Sequence, residues 1–197
     1  MKFFSHIKVY PYPMFMIYCP EGYKLTASDM RSIFKKVEPG DVLLRGYVDY
    51  LDGYFIPGMF SHAGLYVGND RVIHAMSGGV FEEDILTFCR CDYMGVVRPI
   101  APASIKNEAI AKAYNCIGMP YDFGFDFNDH SSVCCTEFIH CVYESVASEL
   151  GIVPREQKVL FGLEKKYVIS PDDFLMMSGM EIIFLSSYIA ERQKEQS

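Results

Sequence analysis

The sequence predicts an α+β domain in which helices cover one side of a central antiparallel sheet. Three observations lead there. Strand-like segments gather in the middle of the chain, helix-periodic segments lie before and after them, and no repeat, low-complexity run or long linker divides the 197 residues. Half of the residues are hydrophobic, enough to fill a sizeable core, so a single domain over residues 1–197 is expected rather than a disordered chain.

Each element follows from local chemistry. "SDMRSIFKKVEPG" predicts a helix from Ser28 to Val37, capped by Ser28 and closed by Pro39-Gly40. "GDVLLRG" is a short apolar run bounded by glycines and predicts a strand, while the aromatic, glycine-punctuated "YVDYLDGYFIPGMF" predicts a loop beside a cleft. "SHAGLYVGNDRVIHAM" predicts two strands, His62 to Val67 and Arg71 to Ala75, joined by a polar hairpin turn at Gly68-Asn69-Asp70. "GGVFEEDILTFCR" predicts a turn and a short helical stretch around Glu82 to Phe88, and "YMGVVRPI" another strand. In "SIKNEAIAKAYNCIG" the residues Ile105, Ala109, Ala113 and Cys116 recur near helical spacing, with Gly118 and Pro120 as the stop. The run "CTEFIHCVYESVASELG" places Cys135, Phe138, Ile139, Val142 and Val146 on one helical face and ends at Gly151. "KKYVISPDDFLMM" and "MEIIFLSS" add a short helix and a late strand before a polar tail. The expected division is an N-terminal decoration over 1–37, a core over 38–186 and a tail over 187–197.

Composition narrows the function. A net charge of −7 and a pI near 5.2 argue against binding a phosphate backbone, which needs clustered Lys and Arg, so no nucleic-acid partner is expected. The seven cysteines, at 19, 89, 91, 116, 134, 135 and 141, are odd in number and lack the even spacing of a disulfide scaffold. In "MKFFSHIKVYPYPMFMIYCP" two prolines, Pro11 and Pro13, interrupt the apolar run and no small-residue cleavage site follows, so it reads poorly as a signal peptide. No run reaches membrane-spanning length. The expected compartment is the cytoplasm, unless a leaderless export route carries the chain out. Oligomeric state is not legible.

"SSVCCTEFIH" sets the chemical question, because Cys134 and Cys135 stand where a polar loop becomes a helix. A buried free cysteine is a small hydrophobe, whereas one in the first turn of a helix meets positive backbone potential that stabilises a thiolate. A nucleophilic thiol needs a neighbouring base, itself oriented by a third polar group. Of the five histidines, His6, His62, His74, His130 and His140, two fall at the ends of the predicted hairpin, and antiparallel pairing brings them together. A helix starting at Cys135 and packed on that sheet would complete a Cys, His, His set. The alternatives are two packing cysteines and a zinc site, but no C-x-x-C or H-E-x-x-H pattern supports zinc and Cys89-Arg90-Cys91 has the wrong spacing. No phosphate-cradling glycine loop occurs either.

In order along the chain, "PGDVLL", "SHAGLYVG", "RVIHA", "GGV", "GMPYDFGFDF" and "CCTEFIHCVYE" resemble the circularly permuted branch of the NlpC-type papain-like cysteine hydrolases, in its YiiX and YebB-like group. The match spans about Glu38 to Glu144, and "YVISPDDF" resembles the group's C-terminal motif. In that branch the histidine strand precedes the cysteine helix, as here. The resemblance implies a papain-like fold with Cys135, ahead of Thr136 and Glu137, as nucleophile, His62 as base and His74 as orienting residue. Close relatives often carry Glu at the third position, whereas lecithin:retinol acyltransferase, a eukaryotic cousin, is similar in using His. Tyr121 in "PYDF" resembles a tyrosine lining the substrate cleft.

What this implies is a cysteine peptidase or amidase working through an acyl-thioester, with neither metal nor organic cofactor. The wider family points to peptidoglycan stem peptides as substrate. The permuted branch also resembles lipid-acting enzymes, for which the aromatic loop would supply an apolar wall. A non-catalytic binding module on the same fold is the competing class; the intact Cys, His, His set argues against it.

Overall fold

The structure, a computed structural model, describes residues 7–11, 14–18, 23–48, 58–124, 127, 131–159 and 164–189. Two short strands, β1 (Ile7–Pro11) and β2 (Met14–Tyr18), pair with each other ahead of helix α1 (Ala27–Lys36). The cap of α1 is Thr26 rather than the expected Ser28. Thr26 Oγ1 accepts the Asp29 N–H while Asp29 Oδ2 accepts the Thr26 N–H, a reciprocal box two residues earlier than Ser28 would make it.

The centre is a six-stranded antiparallel sheet in the order β10-β7-β3-β4-β5-β6. Its strands are β3 (Val42–Gly46), β4 (His62–Gly68), β5 (Arg71–Met76), β6 (Gly79–Asp84), β7 (Tyr93–Pro99) and β10 (Met180–Leu185). β4 and β5 form the expected hairpin. Its turn has two residues at its tip, Asn69 and Asp70, both at positive φ (51° and 59°), a conformation that short polar side chains tolerate. The stretch expected to coil from Glu82 to Phe88 divides differently: 79–84 is strand β6, paired with β5, and only Ile85–Phe88 is helical (α2). The free edge of β5 offers hydrogen bonds to "GVFEED" that a solvated helix start cannot match.

Helices lie on both faces of the sheet, not on one. Alternate residues of each strand point to opposite sides. On one side Leu44, Ala63, Leu65, Ile73 and Ala75 meet α3 (Ala103–Asn115) and α4 (Cys135–Val142) through Ala109, Phe138 and Ile139. On the other, Leu43, Tyr66, Val72 and Met94 meet Ile33 of α1 and Ile85 and Phe88 of α2. Both faces are apolar because both are covered, so the sheet reads as buried runs rather than as clean alternation.

The single helix expected from Cys135 to Gly151 is three pieces: α4, a 3₁₀ turn at Glu144–Val146, and α5 (Ala147–Leu150), closed by Gly151 at φ 79°. The break falls at Tyr143, fully buried, whose hydroxyl donates to Gly40 O at 2.6 Å. A hairpin, β8 (Arg155–Val159) and β9 (Glu164–Val168), leads to a 3₁₀ helix at Pro171–Leu175 and then to β10. Most of the loop expected beside a cleft, residues 49–57, lies outside the described residues. Among the described residues no helix is long and apolar enough to cross a membrane.

Candidate functional site

Strand register decides which side chains can meet. Arg45 stands opposite His62, and His74 opposite Phe81. By alternation Arg45, His62, His74, Phe81 and Glu83 project from one face of the sheet, over the Phe88 ring, while α4 packs on the other face. β4 and β5 pair from Gly68↔Arg71 to Leu65↔Ile73, and the ladder stops short of His62 and His74.

The structure brings the two histidines together: His62 Nε2 and His74 Nδ1 are 2.9 Å apart, with the rings edge to face. Both are buried, at 7% and 1% exposure. Burial, with Arg45 and His74 adding to it, holds His62 well below the usual imidazole range, so it is a neutral ring at neutral pH. Burial also lowers His74, and Arg45 adds to this, while contact with Glu83 acts in the opposite direction.

Cys135 is the first residue of α4, preceded by Cys134 in extended conformation at the cap. Glu137 Oε2 accepts the Cys134 N–H at 2.6 Å, which fixes the entry to the helix. The Cys134 thiol hydrogen-bonds Cys135 Sγ, and the backbone N–H groups of Ala63, Thr136 and Cys135 also point to that sulfur. Together these donors hold the Cys135 thiol below the usual range although burial pushes it up. The neighbour is driven the other way: burial, the hydrogen bond that its S–H gives to Cys135 and the nearness of that sulfur's charge raise Cys134 well above a free thiol. Of the two thiols, Cys135 is therefore the one that gives up its proton more readily.

The Ala63 N–H seats the sulfur beside the backbone of His62, at the gap in the β4–β5 ladder. Among the described residues no hydrogen bond joins Cys135 Sγ to the His62 ring; the thiol meets the His62–Ala63 backbone, and the imidazole pair lies beyond it. Tyr121 lies by the same helix start. Burial and the neighbouring Cys135, Cys134, Glu137 and Asp122 push its phenol up, and its ring meets that of Phe123 at 4.9 Å. His140 packs on Phe127 away from this cluster, and His6 and His130 lie outside the described residues.

Three polar residues near these elements were not singled out from the sequence. Arg45 and Glu83 flank the imidazole pair, with Glu83 Oε2 3.2 Å from His74 Nε2 and 3.8 Å from Arg45 Nη1. Had "GVFEED" been read as a strand, alternation would have put Glu83 on the histidine face. The third is Asp172, whose carboxylate accepts the N–H groups of Met59 and Phe60 at 2.9 and 2.8 Å, just ahead of His62.

The family model described as permuted papain-like amidase enzyme, YaeF/YiiX, C92 family, matches residues 36–194. A crystal structure of the metalloprotein yiiX from Escherichia coli O157:H7 superposes with a TM-score of 0.59 at 17% identity, covering 76% of this chain and 97% of that one. No curated protein matches the chain.

Proposed function

Because the chain belongs to the permuted papain-like amidase family, and is accordingly a cysteine hydrolase of the amidase and peptidase type, we propose that Cys135 is its nucleophile, His62 its general base and His74 the residue that orients that base. The observation that carries this reading is the 2.9 Å contact between two buried, neutral imidazoles, one of them borne on the strand whose Ala63 N–H meets a thiol lowered by Cys134 and by backbone donors. His62 Nε2 is committed to His74, which leaves Nδ1 to take the thiol proton. The thiolate attacks an amide carbonyl, and the backbone N–H of Cys135 at the open start of α4 stabilises the oxyanion. The amine leaves with a proton from His62, and water then hydrolyses the acyl-thioester.

For substrate we assign a peptidoglycan stem peptide, the class that the family resemblance favours, with Tyr121 lining the cleft. An acyl-lipid substrate is the second reading, favoured by one observation: Phe123, paired with Tyr121, is 59% exposed and offers an apolar wall. The catalytic core is assigned to residues 38–186, with 1–37 as decoration and 187–197 as tail. The E. coli relative is called a metalloprotein, but the donors here do not fit a metal site: His62 Nε2 and His74 Nδ1 face each other, and among the described residues no three His, Cys, Asp or Glu side chains converge on a point.

The test is alkylation by iodoacetamide near neutral pH, read by peptide mass spectrometry in wild type, His62→Ala and Cys135→Ala. Labelling concentrated on Cys135 and slowed about 100-fold in His62→Ala is the expected result. Cys89 is the internal control, since burial pushes its thiol up to about 12. Labelling of Cys135 no faster than that of Cys89, and indifferent to His62, would leave a binding module. Muropeptides against acyl lipids as substrates then separate the two substrate readings.

A further inference from the structure

The polar groups on the histidine face continue past His74. In the β5–β6 register Val72 stands opposite Glu83 and His74 opposite Phe81, so Glu83 is the diagonal neighbour of His74 on the same face. Its Oε2 lies 3.2 Å from His74 Nε2, the nitrogen not turned toward His62, as an ion-pair contact without full hydrogen-bond alignment, and neither atom has a hydrogen-bond partner among the described residues, so each is the other's nearest means of satisfaction. Arg45 approaches the same oxygen at 3.8 Å, its guanidinium held 4.4 Å above the Phe88 ring. The result is an unbroken row: Arg45, Glu83, His74, His62.

Proton bookkeeping along that row has one solution. A carboxylate only accepts, so the nitrogen facing it must carry the proton, and His74 is the Nε2–H tautomer. A neutral imidazole protonated at Nε2 is an acceptor at Nδ1. The 2.9 Å contact between His74 Nδ1 and His62 Nε2 is then donated by His62, which makes His62 an Nε2–H tautomer too. The lone pair of His62 is left on Nδ1. Without the carboxylate the row can run in reverse: His74 carries its proton on Nδ1 and donates to His62 Nε2, and His62 is protonated on Nδ1, where it can take up nothing. Two imidazoles alone do not choose between these states, because each is a donor at one nitrogen and an acceptor at the other.

We propose that Glu83 is a positioning residue of this hydrolase, which by accepting from His74 Nε2 sets the tautomers of both histidines and keeps His62 Nδ1 bare to take the Cys135 proton. The proposal rests on the reading of His62 as the base. Arg45 has the supporting task of keeping Glu83 ionised, and Glu83 is held below the usual carboxylate range, against burial, by His74 and Arg45.

The experiment is a long-range ¹H–¹⁵N correlation spectrum of protein labelled with ¹⁵N-histidine at pH 7.5, in wild type and Glu83→Gln, with iodoacetamide labelling of Cys135 in both and in His62→Ala. Gln has the same size, and its amide can donate as well as accept. The expected wild-type spectrum shows Nε2–H at both His62 and His74. In Glu83→Gln the Nδ1–H form grows in at both rings and Cys135 labelling falls about tenfold, the scale of losing an orienting partner. Nδ1–H at His74 in the wild type overturns the proposal outright, and that measurement does not depend on any variant folding. If His62→Ala slows labelling while Glu83→Gln leaves tautomers and rate unmoved, the role of Glu83 fails and the base reading stands. If His62→Ala leaves labelling unchanged, the base reading fails and the positioning role with it.

Discussion

Glu137 shows how strongly one side chain can feel the start of α4. Its carboxyl is buried, and burial together with Cys134 and Asp122 pushes its pKa up to about 9, even though Oε2 accepts the Cys134 N–H. The folded protein therefore holds a proton here that the unfolded chain releases near pH 4.5. Stability contributed by that proton is complete below pH 4.5 and is lost as pH rises toward 9, by at most about 1.4 kcal/mol per pH unit. Glu137→Gln keeps the acceptor for Cys134 and has no proton to lose. The melting temperature of the variant, measured relative to wild type, should therefore climb steadily between pH 5 and pH 8; a flat difference would mean that Glu137 is ionised in the fold. At this scale the meeting of His62 with His74 and the place of Cys135 at a helix start were legible, because a hairpin spacing and a loop-to-helix junction are local patterns. Glu83 was not, because its segment reads as a helix start and so loses its place on the histidine face, and Asp172 was not, because it reaches Met59 and Phe60 only by the chain's return, across 113 and 112 residues.

Among the elements, the 3₁₀ helix at Pro171–Leu175 has the clearest task. Ser170 and Asp173 form a capping box that holds this turn, and Asp172 reaches from it to the Met59 and Phe60 N–H groups leading into β4. Gly58, at φ 134°, allows the approach, because a Cβ there would run into the Asp172 carboxylate. Asp172→Ala leaves two backbone donors without partners, which should cost about 2–4 kcal/mol and lower Tm by roughly 5–10 °C. Amide exchange at Met59 and Phe60 should quicken before that of β5; unaltered exchange there would mean that another acceptor replaces the carboxylate. The hairpin and the helix starting at Cys135 were readable because Asn-Asp turns and apolar 3.6-residue spacing are strong signals. The end of strand β6, from Glu82 to Asp84, reads as helix because its Gly-Gly entry and acidic run mimic a helix start, and the Tyr143 break is invisible because its partner, Gly40 O, is 103 residues away.

At the scale of the molecule, the chain's two flanks meet on the second core. The Ser187 N–H and hydroxyl both donate to Asp29 of α1, and Lys36 at the end of the same helix donates to Ile183 O and lies 5.9 Å above the Phe184 ring of β10. A chain ending at Gly179 should therefore lose exchange protection at α1 while the β4–β5 hairpin keeps its own; equal loss in both would mean the sheet folds only as a whole. A helical cover on one side was the sequence expectation, and it failed because α1 and α2 are too short for their periodicity to say which face of a sheet they seek. The order of the parts also sets a schedule. A ribosome delivers this chain from its N-terminus, so the hairpin of the two imidazoles leaves the tunnel some sixty residues before Cys135, and the aspartate that steadies its entry strand arrives later still. A nascent chain halted between residues 76 and 134 carries the imidazole pair without Cys135, and one halted between 143 and 171 carries both without the carboxylate that braces the entry to β4.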